Sequence, residues 1–170
     1  MSFTSLSQVG QDTFAYEKIG ESGTFLDIGS KDPFFHNNTA ALEQIGWRGA
    51  AVDIDEREVF KFRRYRRTPV FCEDATQVNW FVLCAALDIG PVIDYLSLDV
   101  EGSELLVLKD LVAAGLRFRV ITCEHNRYLI GVDYRDALRD FLFSQGYKLF
   151  RADVADGGNE FEDWWVAINV

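Results

Sequence analysis

The chain alternates short apolar runs with longer stretches in which apolar residues recur every three or four positions. Short apolar runs bounded by turn residues are typical of buried strands, and the longer periodic stretches are typical of amphipathic helices. Strands are predicted at 24–28, 50–54, 69–72, 92–99 and 118–124. This alternation predicts an α/β domain with a mostly parallel sheet.

Helices are predicted between these strands. One begins at a cap on Asn38 or Thr39 and ends at Gly46, and others cover 76–89, 103–114 and 134–145. We expect their apolar stripes to pack in the core. After residue 146, YKLFRADV and FEDWWVAINV flank the polar turn ADGGNE, which predicts a terminal hairpin in which the two tryptophans pack. The layout resembles the Rossmann-like class I methyltransferase fold, with a seven-stranded sheet, helices on both faces and an antiparallel last strand.

Size and charge narrow the classes of partner. The 170 residues are enough for one buried core, so residues 1–170 are predicted to form a single domain. A net charge of −10 argues against nucleic acid as the main partner. No apolar run is long enough to span a membrane, and the first residues lack the pattern of a signal peptide. Three widely spaced cysteines predict free thiols and a cytoplasmic protein.

One segment is strongly basic although the net charge of the chain is negative. KFRRYRR at 61–67 carries five cations in seven positions. A solvated face of a short helix is the first interpretation, and an anion or glycan contact is the second.

Acidic residues follow the predicted strands. Asp27, Asp53, Asp74, Asp99 and Glu124 each lie at or just after the end of a strand. In open α/β sheets, ligands bind at the carboxyl ends of the strands near the switch in strand order. The acids therefore predict an acid-lined binding site at that edge.

The turn after the first strand indicates which ligand that site takes. Its sequence is Gly29-Ser30-Lys31-Asp32-Pro33. A dinucleotide site offers backbone N–H groups to phosphates, whereas Pro33 has no N–H and the neighbouring acids would repel phosphate. S-adenosylmethionine has no phosphate, and it carries a sulfonium cation, two ribose hydroxyls and an adenine amine. Gly29 permits close approach of the backbone, Asp53 is placed to accept from the ribose, and Asp74 can accept from the amine.

Five segments resemble FkbM-like methyltransferases, the Methyltransferase 21 group. They are SQVGQD at 7–12, LDIGSKDPFFHNNT at 26–39, GWRGAAVDID at 46–55, IDYLSLDVEGSELLVLKDL at 93–111 and ITCEHN at 121–126. The sequence departs from the family's turn at Lys31 and Pro33, where glycines are expected. The resemblance implies a site for S-adenosylmethionine at Gln8, Asp12, Asp27, Gly29, Ser30, Asp32, Asn38, Asp53, Ile54, Asp74, Ala75 and Asp99.

Candidate catalytic residues follow the fourth and fifth strands. Because neighbouring parallel strands lie about 4.8 Å apart, Asp99, Glu101, Glu124 and His125 are expected to converge on one point. Asp99, Glu101 and His125 are the candidate catalytic residues. Oxygen-rich ligands with one imidazole suit Mg²⁺ or Mn²⁺, so Asp99, Glu124, His125 and Asn126 are candidate metal ligands.

Three functions remain open. The first is an O-methyltransferase acting on a hydroxyl of a sugar, another small metabolite or a glycan. The second is an N-methyltransferase on the same fold. The third is a binding module without catalysis, which the departures at Lys31 and Pro33 keep open. The sequence has no insertion large enough for a substrate lid, so substrate contacts are expected from the N-terminal stretch, from the loops after the fourth and fifth strands, or from the second subunit of a homodimer.

Overall fold

The sheet contains the predicted parallel core. The structure is a computed structural model that describes residues 3–169. Its strands are β1 (Thr24–Ile28), β2 (Arg48–Asp53), β3 (Val70–Cys72), β4 (Val92–Leu98), β5 (Arg117–Glu124), β6 (Tyr147–Asp156) and β7 (Asn159–Ala167). They form one seven-stranded sheet in the order β3-β2-β1-β4-β5-β7-β6. Strands β1 to β5 pair in parallel, and β7 runs antiparallel to both β5 and β6. The predicted strands and hairpin are confirmed.

The helices connect the strands on both faces of the sheet. They are α1 (Gln11–Ile19), α2 (Ala40–Gln44), α3 (Glu56–Tyr65), α4 (Trp80–Ala86), α5 (Glu104–Ala113), α6 (Arg127–Ile130) and α7 (Val132–Ser144). Helix α4 begins later than predicted because the Asn79 side chain accepts a hydrogen bond from Val82 N–H and caps it there. Helices α1 and α6 were not predicted. In α1 the buried apolar residues are Phe14 and Ala15, and α6 is a single turn, so neither shows an apolar stripe.

The core lies in two layers, one on each face of the sheet. Successive strand residues point to opposite faces, so Leu26 packs in the larger layer and Phe25 in the smaller one. The two tryptophans of β7 divide in the same way, with Trp165 in the larger layer and Trp164 in the smaller. Both are buried, as predicted. The fully buried Leu111 of α5 shows that its apolar stripe is core packing.

Gly29 brings the loop after β1 against the end of β4. Its φ is +82°, and a Cβ built on it would lie 1.7 Å from the carbonyl oxygen of Asp99. Its N–H donates to the carbonyl of Val52 at 2.8 Å, which ties the same loop to β2. A side chain at residue 29 would force these three strand ends apart. Only glycine fits this position.

Two further predictions concern the whole chain. Cys72, Cys84 and Cys123 are free thiols, which confirms that part of the sequence interpretation. Among residues 3–169, no helix has the length and apolar character needed to cross a membrane.

Candidate functional site

An acid-lined cleft lies at the carboxyl edge of β1, β2, β3 and β4. Its volume is about 410 Å³, within the range of small-molecule sites. Seven acidic side chains and one lysine are among its lining residues. We call this the edge cleft. Of the residues predicted for cofactor binding or catalysis, it contains Gly29, Asp53, Ile54, Asp74, Ala75, Asp99 and Glu101.

Asp53 is held in place by the backbone around it. One carboxylate oxygen, Oδ2, accepts from Lys31 N–H at 2.7 Å, and Oδ1 accepts from Asp55 N–H at 2.8 Å. The residue is mostly buried but lines the cleft. Each carboxylate oxygen has a further lone pair, so Asp53 can still accept hydrogen bonds from a ligand hydroxyl.

Asp74 lies on the β3 side of the cleft. Its Oδ1 accepts from the N–H and the hydroxyl of Thr76, at 2.9 and 2.8 Å. These hydrogen bonds lower the pKa of Asp74, so it is ionised at neutral pH. Ala75 beside it is small and apolar and leaves room for a flat group.

Lys31 is the cation among the residues that line the cleft. Its Nζ lies 2.8 Å from Asp99 Oδ2 and 3.4 Å from Glu101 Oε1. Partial burial acts to lower the pKa of Lys31, but the charge of Asp99 and its hydrogen bond outweigh this and raise the pKa above its usual range. The lysine therefore stays charged and bridges two predicted catalytic acids.

Glu124 lies beside Asp99 on the neighbouring strand. Burial and then the negative charge of Asp99 raise the pKa of Glu124 well above its usual range. Glu124 is therefore protonated at neutral pH and can donate a hydrogen bond to Asp99. Its Oε2 also accepts from Asn126 Nδ2 at 2.6 Å.

Four predicted cofactor residues support the loop instead of lining the cleft. Asp27 is buried, and Thr39 Oγ1 donates to it at 2.6 Å. Burial raises the pKa of Asp27 to about 6. Asp32 accepts from Phe34 and Phe35 N–H and closes a turn. The other two are Ser30, which is buried, and Asn38, whose Nδ2 donates to Ser97 Oγ at 3.0 Å.

The two predicted residues from the N-terminal segment also lie outside the cleft lining. Asp12 is fully buried and accepts from Ser5 Oγ at 2.6 Å and Leu6 N–H at 2.7 Å, so it organises its own segment. Gln8 donates to Asp156 Oδ2 at 2.7 Å, on the terminal hairpin.

His125 does not join the acids of the cleft, and the predicted convergence of four side chains is wrong for this residue. Its Nδ1 accepts from Arg127 N–H at 3.2 Å. Its Nε2 lies 3.6 Å from Asp163 Oδ1 and 3.8 Å from Asp153 Oδ1. The physical reason is alternation along extended backbone: Glu124 faces Asp99, so the next side chain points the other way.

The predicted metal ligands are therefore not brought together. Within residues 3–169, one set of three His, Cys, Asp or Glu side chains lies close enough to share an ion, and it is His125, Asp153 and Asp163. Arg135 and Arg139 already bind these carboxylates. Arg139 contacts both oxygens of Asp163 at 2.7 and 2.8 Å, and both arginines contact Asp153 Oδ1. We call these five residues the hairpin cluster.

The charges of the hairpin cluster balance without a metal ion. Two carboxylates face two guanidinium groups, and a divalent cation would have to displace those groups. Burial acts to raise the pKa of Asp163, but the hydrogen bonds from Arg139 outweigh it and lower the pKa to about 2. The cluster fits a buried ion-pair network.

One cation of the basic segment 61–67 is buried, and the other four are exposed. Arg66 is buried, and its Nε donates to Glu43 Oε2 at 2.7 Å. Lys61 pairs with Glu58 at 2.7 Å, and Arg63 donates to the carbonyl of Val70 at 3.3 Å. Two of its five cations, Lys61 and Arg66, are thus paired with carboxylates. This leaves less charge for the anion or glycan contact that was the second interpretation.

Sequence reasoning noted Lys31 only as a departure and missed Arg139 and Glu162. Lys31 and Asp99 are 68 positions apart, and no local pattern signals their contact. Glu162 is buried beside Glu124 in the β5–β7 ladder, where Gln11 and Trp164 donate to it. Burial raises the pKa of Glu162 to about 8.

Comparison with known proteins supports the family resemblance. The family model described as the methyltransferase FkbM domain matches residues 83–149. This segment contains β4, the Asp99–Glu101 turn, β5 and Glu124. No curated protein matches the chain.

Solved structures share the fold at low sequence identity. Magnesium protoporphyrin IX methyltransferase from Synechocystis PCC 6803, solved with bound S-adenosylmethionine, is 16% identical with a TM-score of 0.64, covering 92% of this chain and 76% of that one. A TehB-like methyltransferase from Corynebacterium glutamicum is 14% identical with a TM-score of 0.62, covering 93% and 86%. Human methyltransferase 10 domain containing protein is 16% identical with a TM-score of 0.60, covering 92% and 79%.

The strand order and the structural neighbours point to the same fold as the family resemblance. Strand order, the antiparallel β7 and these neighbours show the class I methyltransferase fold. The chain thus has this fold, and it resembles the FkbM methyltransferases over residues 83–149.

Proposed function

We propose that the chain is an S-adenosylmethionine-dependent O-methyltransferase whose acceptor is a hydroxyl on a sugar or another small metabolite. The observation that carries this proposal is the edge cleft. It lies at the switch in strand order between β1 and β4, where ligands of open α/β sheets bind, and seven of its lining residues are acids.

The residues of the cleft fit S-adenosylmethionine. Asp53 has lone pairs free for ribose hydroxyls, and Asp74 and Ala75 can hold an adenine with its amine. Gly29 keeps the loop close to the end of β4. When bound, the cofactor supplies a methyl group on a sulfonium cation, and negative side chains favour a cation. A pyrophosphate would meet seven acids, so a dinucleotide does not fit.

A hydroxyl acceptor must lose a proton, and Asp99 is the group placed to accept it. Its Oδ1 is buried and has no hydrogen-bond partner among residues 3–169. Glu124 beside it is protonated and can donate a hydrogen bond that holds the Asp99 carboxyl group in position. Glu101 lies two positions after Asp99, at the exposed rim of the cleft, where it can orient the methyl acceptor.

Two measurements test the proposal. Calorimetry with S-adenosylhomocysteine tests cofactor binding, and transfer of a labelled methyl group to a panel of hydroxylated and amine acceptors tests the reaction. We expect binding and transfer to hydroxyl compounds. Transfer confined to amines would replace the O-methyltransferase assignment with N-methylation.

Asp99→Asn separates chemistry from binding. The amide keeps the size of the side chain but cannot take a proton, so turnover should fall by about 10²–10⁴-fold. Binding of S-adenosylhomocysteine should remain. Full turnover in this variant would place the base elsewhere.

The competing function is a binding module without catalysis. The observation that favours it is the Lys31 ammonium, which already bridges Asp99 and Glu101 inside the cleft. Absence of any calorimetric signal with S-adenosylhomocysteine would favour this second function.

A further inference from the structure

The edge cleft is lined by acidic side chains and contains one cationic side chain, that of Lys31. Seven acids line it together with Lys31. Most of these acids suit the neutral or cationic parts of S-adenosylmethionine. The amino-acid end of that molecule also carries a carboxylate, which needs a cation or N–H donors.

The order of strands places Lys31 at the matching end of the cleft. Across the sheet, β3 carries Asp74, β2 carries Asp53, and β1 and β4 lead to Lys31 and Asp99. Neighbouring strands are about 4.8 Å apart. A ligand with its adenine near Asp74 and its ribose at Asp53 would therefore place its amino-acid end near β1 and β4.

The backbone of Lys31 indicates that this side chain is used. Its φ is +49°, in the left-handed region that glycine adopts without steric cost and other residues adopt rarely. Its N–H is fixed on Asp53 Oδ2 at 2.7 Å. A strained conformation of this kind is often kept where it aims a side chain at a functional site. Here the side chain reaches the β4 end of the cleft.

We propose that the Lys31 ammonium binds the carboxylate at the amino-acid end of S-adenosylmethionine. This inference rests on the proposed function, because it assigns a residue of the same cleft. In the unliganded protein Asp99 and Glu101 hold the ammonium in place, at 2.8 and 3.4 Å. A ligand carboxylate offers the same hydrogen-bond acceptor, and the half-exposed lysine can turn towards it.

Two consequences follow for the protein's own groups. Movement of Lys31 towards a ligand carboxylate would weaken its contact with Asp99 and leave Asp99 Oδ2 free to contact the acceptor hydroxyl. Glu101 would also become available for the ammonium of the ligand. The lysine that departs from the expected glycine would thus serve the cofactor instead of obstructing it.

The test uses two ligands that differ only in the carboxylate. One is S-adenosylhomocysteine, and the other is its decarboxylated analogue, which keeps the adenosine, the sulfur and the amine. Calorimetry gives the dissociation constant of each for wild type, Lys31→Met, Lys31→Arg and Lys109→Met. Lys109 is exposed on α5, so its substitution removes the same charge away from the cleft.

Wild type and Lys109→Met should bind S-adenosylhomocysteine on the order of 10- to 100-fold more tightly than the analogue, as for a hydrogen bond between charged groups. Lys31→Met should lose this preference by weakening the first ligand alone. Lys31→Arg should keep part of it, which shows that charge at this position is what counts. Thermal melting of each variant confirms that it is folded.

The outcomes separate the two proposals. If wild type binds neither ligand, the proposed function fails and this inference fails with it. If wild type binds S-adenosylhomocysteine and Lys31→Met weakens both ligands equally, or neither, the function stands and the role of Lys31 is overturned.

Discussion

The edge cleft and the hairpin cluster contain similar residue types at the same end of the sheet, yet their chemistry differs. In the hairpin cluster Asp153 and Asp163 face Arg135 and Arg139, and Asp163 is almost fully buried. In the edge cleft seven acidic side chains and one lysine line an open volume of about 410 Å³. In the first arrangement the two carboxylates are already paired with the two guanidinium groups. In the second, carboxylate oxygens remain free to accept hydrogen bonds from a ligand.

The comparison shows why a histidine beside acids is weak evidence for catalysis. His125 follows Glu124 directly and lies in the segment that matches the family model. The structure nevertheless places it against a balanced set of charges, away from Asp99. Whether each carboxylate is already paired with a cation distinguishes a structural cluster from a binding site more clearly than the residue types do.

Removal of Arg139 should give the largest effect. Arg139→Ala leaves the buried Asp163 carboxylate without its bidentate partner, and loss of one member of a buried pair costs about 3–5 kcal/mol of unfolding free energy. Urea denaturation measures it. The control is Arg119→Ala, whose exposed pair with Asp94 should contribute about 1 kcal/mol or less. Equal losses in the two variants would contradict a structural role for the cluster.

The pH dependence of stability should differ in sign between Asp163 and Glu162. Asp163 has a pKa of about 2 when folded, below its usual 3.8, so its contribution is present above pH 4 and is lost as pH falls towards 2. The advantage of wild type over Asp163→Asn should therefore shrink by about 2 kcal/mol over that window. Denaturant titrations at several pH values measure this. A constant difference would contradict it.

Glu162 provides the opposite case. Its pKa is raised to about 8, so the folded protein holds a proton that the unfolded chain releases above about pH 4.5. Wild type should lose stability relative to Glu162→Gln as pH rises from about 4.5 to 8. The same titrations measure it, and a parallel pair of curves would show that Glu162 is ionised in the fold.

In the edge cleft, Asp53→Asn should weaken binding of S-adenosylhomocysteine by about 1–3 kcal/mol, because the amide replaces one acceptor oxygen with a donor. The matched control is Asp32→Asn, at a turn acid outside the cleft lining, which should leave the dissociation constant unchanged. Calorimetry measures both. An unchanged constant in folded Asp53→Asn would remove this residue from the site.

The smallest effect should come from divalent ions. Because Arg135 and Arg139 occupy the carboxylate oxygens of the hairpin cluster, Mn²⁺ or Mg²⁺ should not shift the melting temperature relative to EDTA. Differential scanning calorimetry measures this. A rise of several degrees that His125→Gln abolishes would show that the cluster does accept an ion.

The sequence predicted elements well where local chemistry decides them. The run TFLDI gave strand β1 at the predicted 24–28, and alternating apolar and polar stretches gave the helices that cover both faces. Helix α1 was missed because its packing uses Phe14 and Ala15 without a repeating stripe. Its existence depends on contact with the smaller core layer, and a single segment does not encode that contact visibly.

The sequence by itself also determined the order of acids along the strand ends, and so the position of an acid-rich edge. It did not determine which acids share a space. Asp27 and Asp53 both end strands, but one is buried under the loop with Thr39 and the other lines the cleft. Lys31 meets Asp99 only because β1 lies beside β4 in the sheet and the backbone at Lys31 turns left-handed. Strand neighbours and side-chain direction are properties of the assembled sheet, and they set the separation and solvation on which electrostatic energy depends.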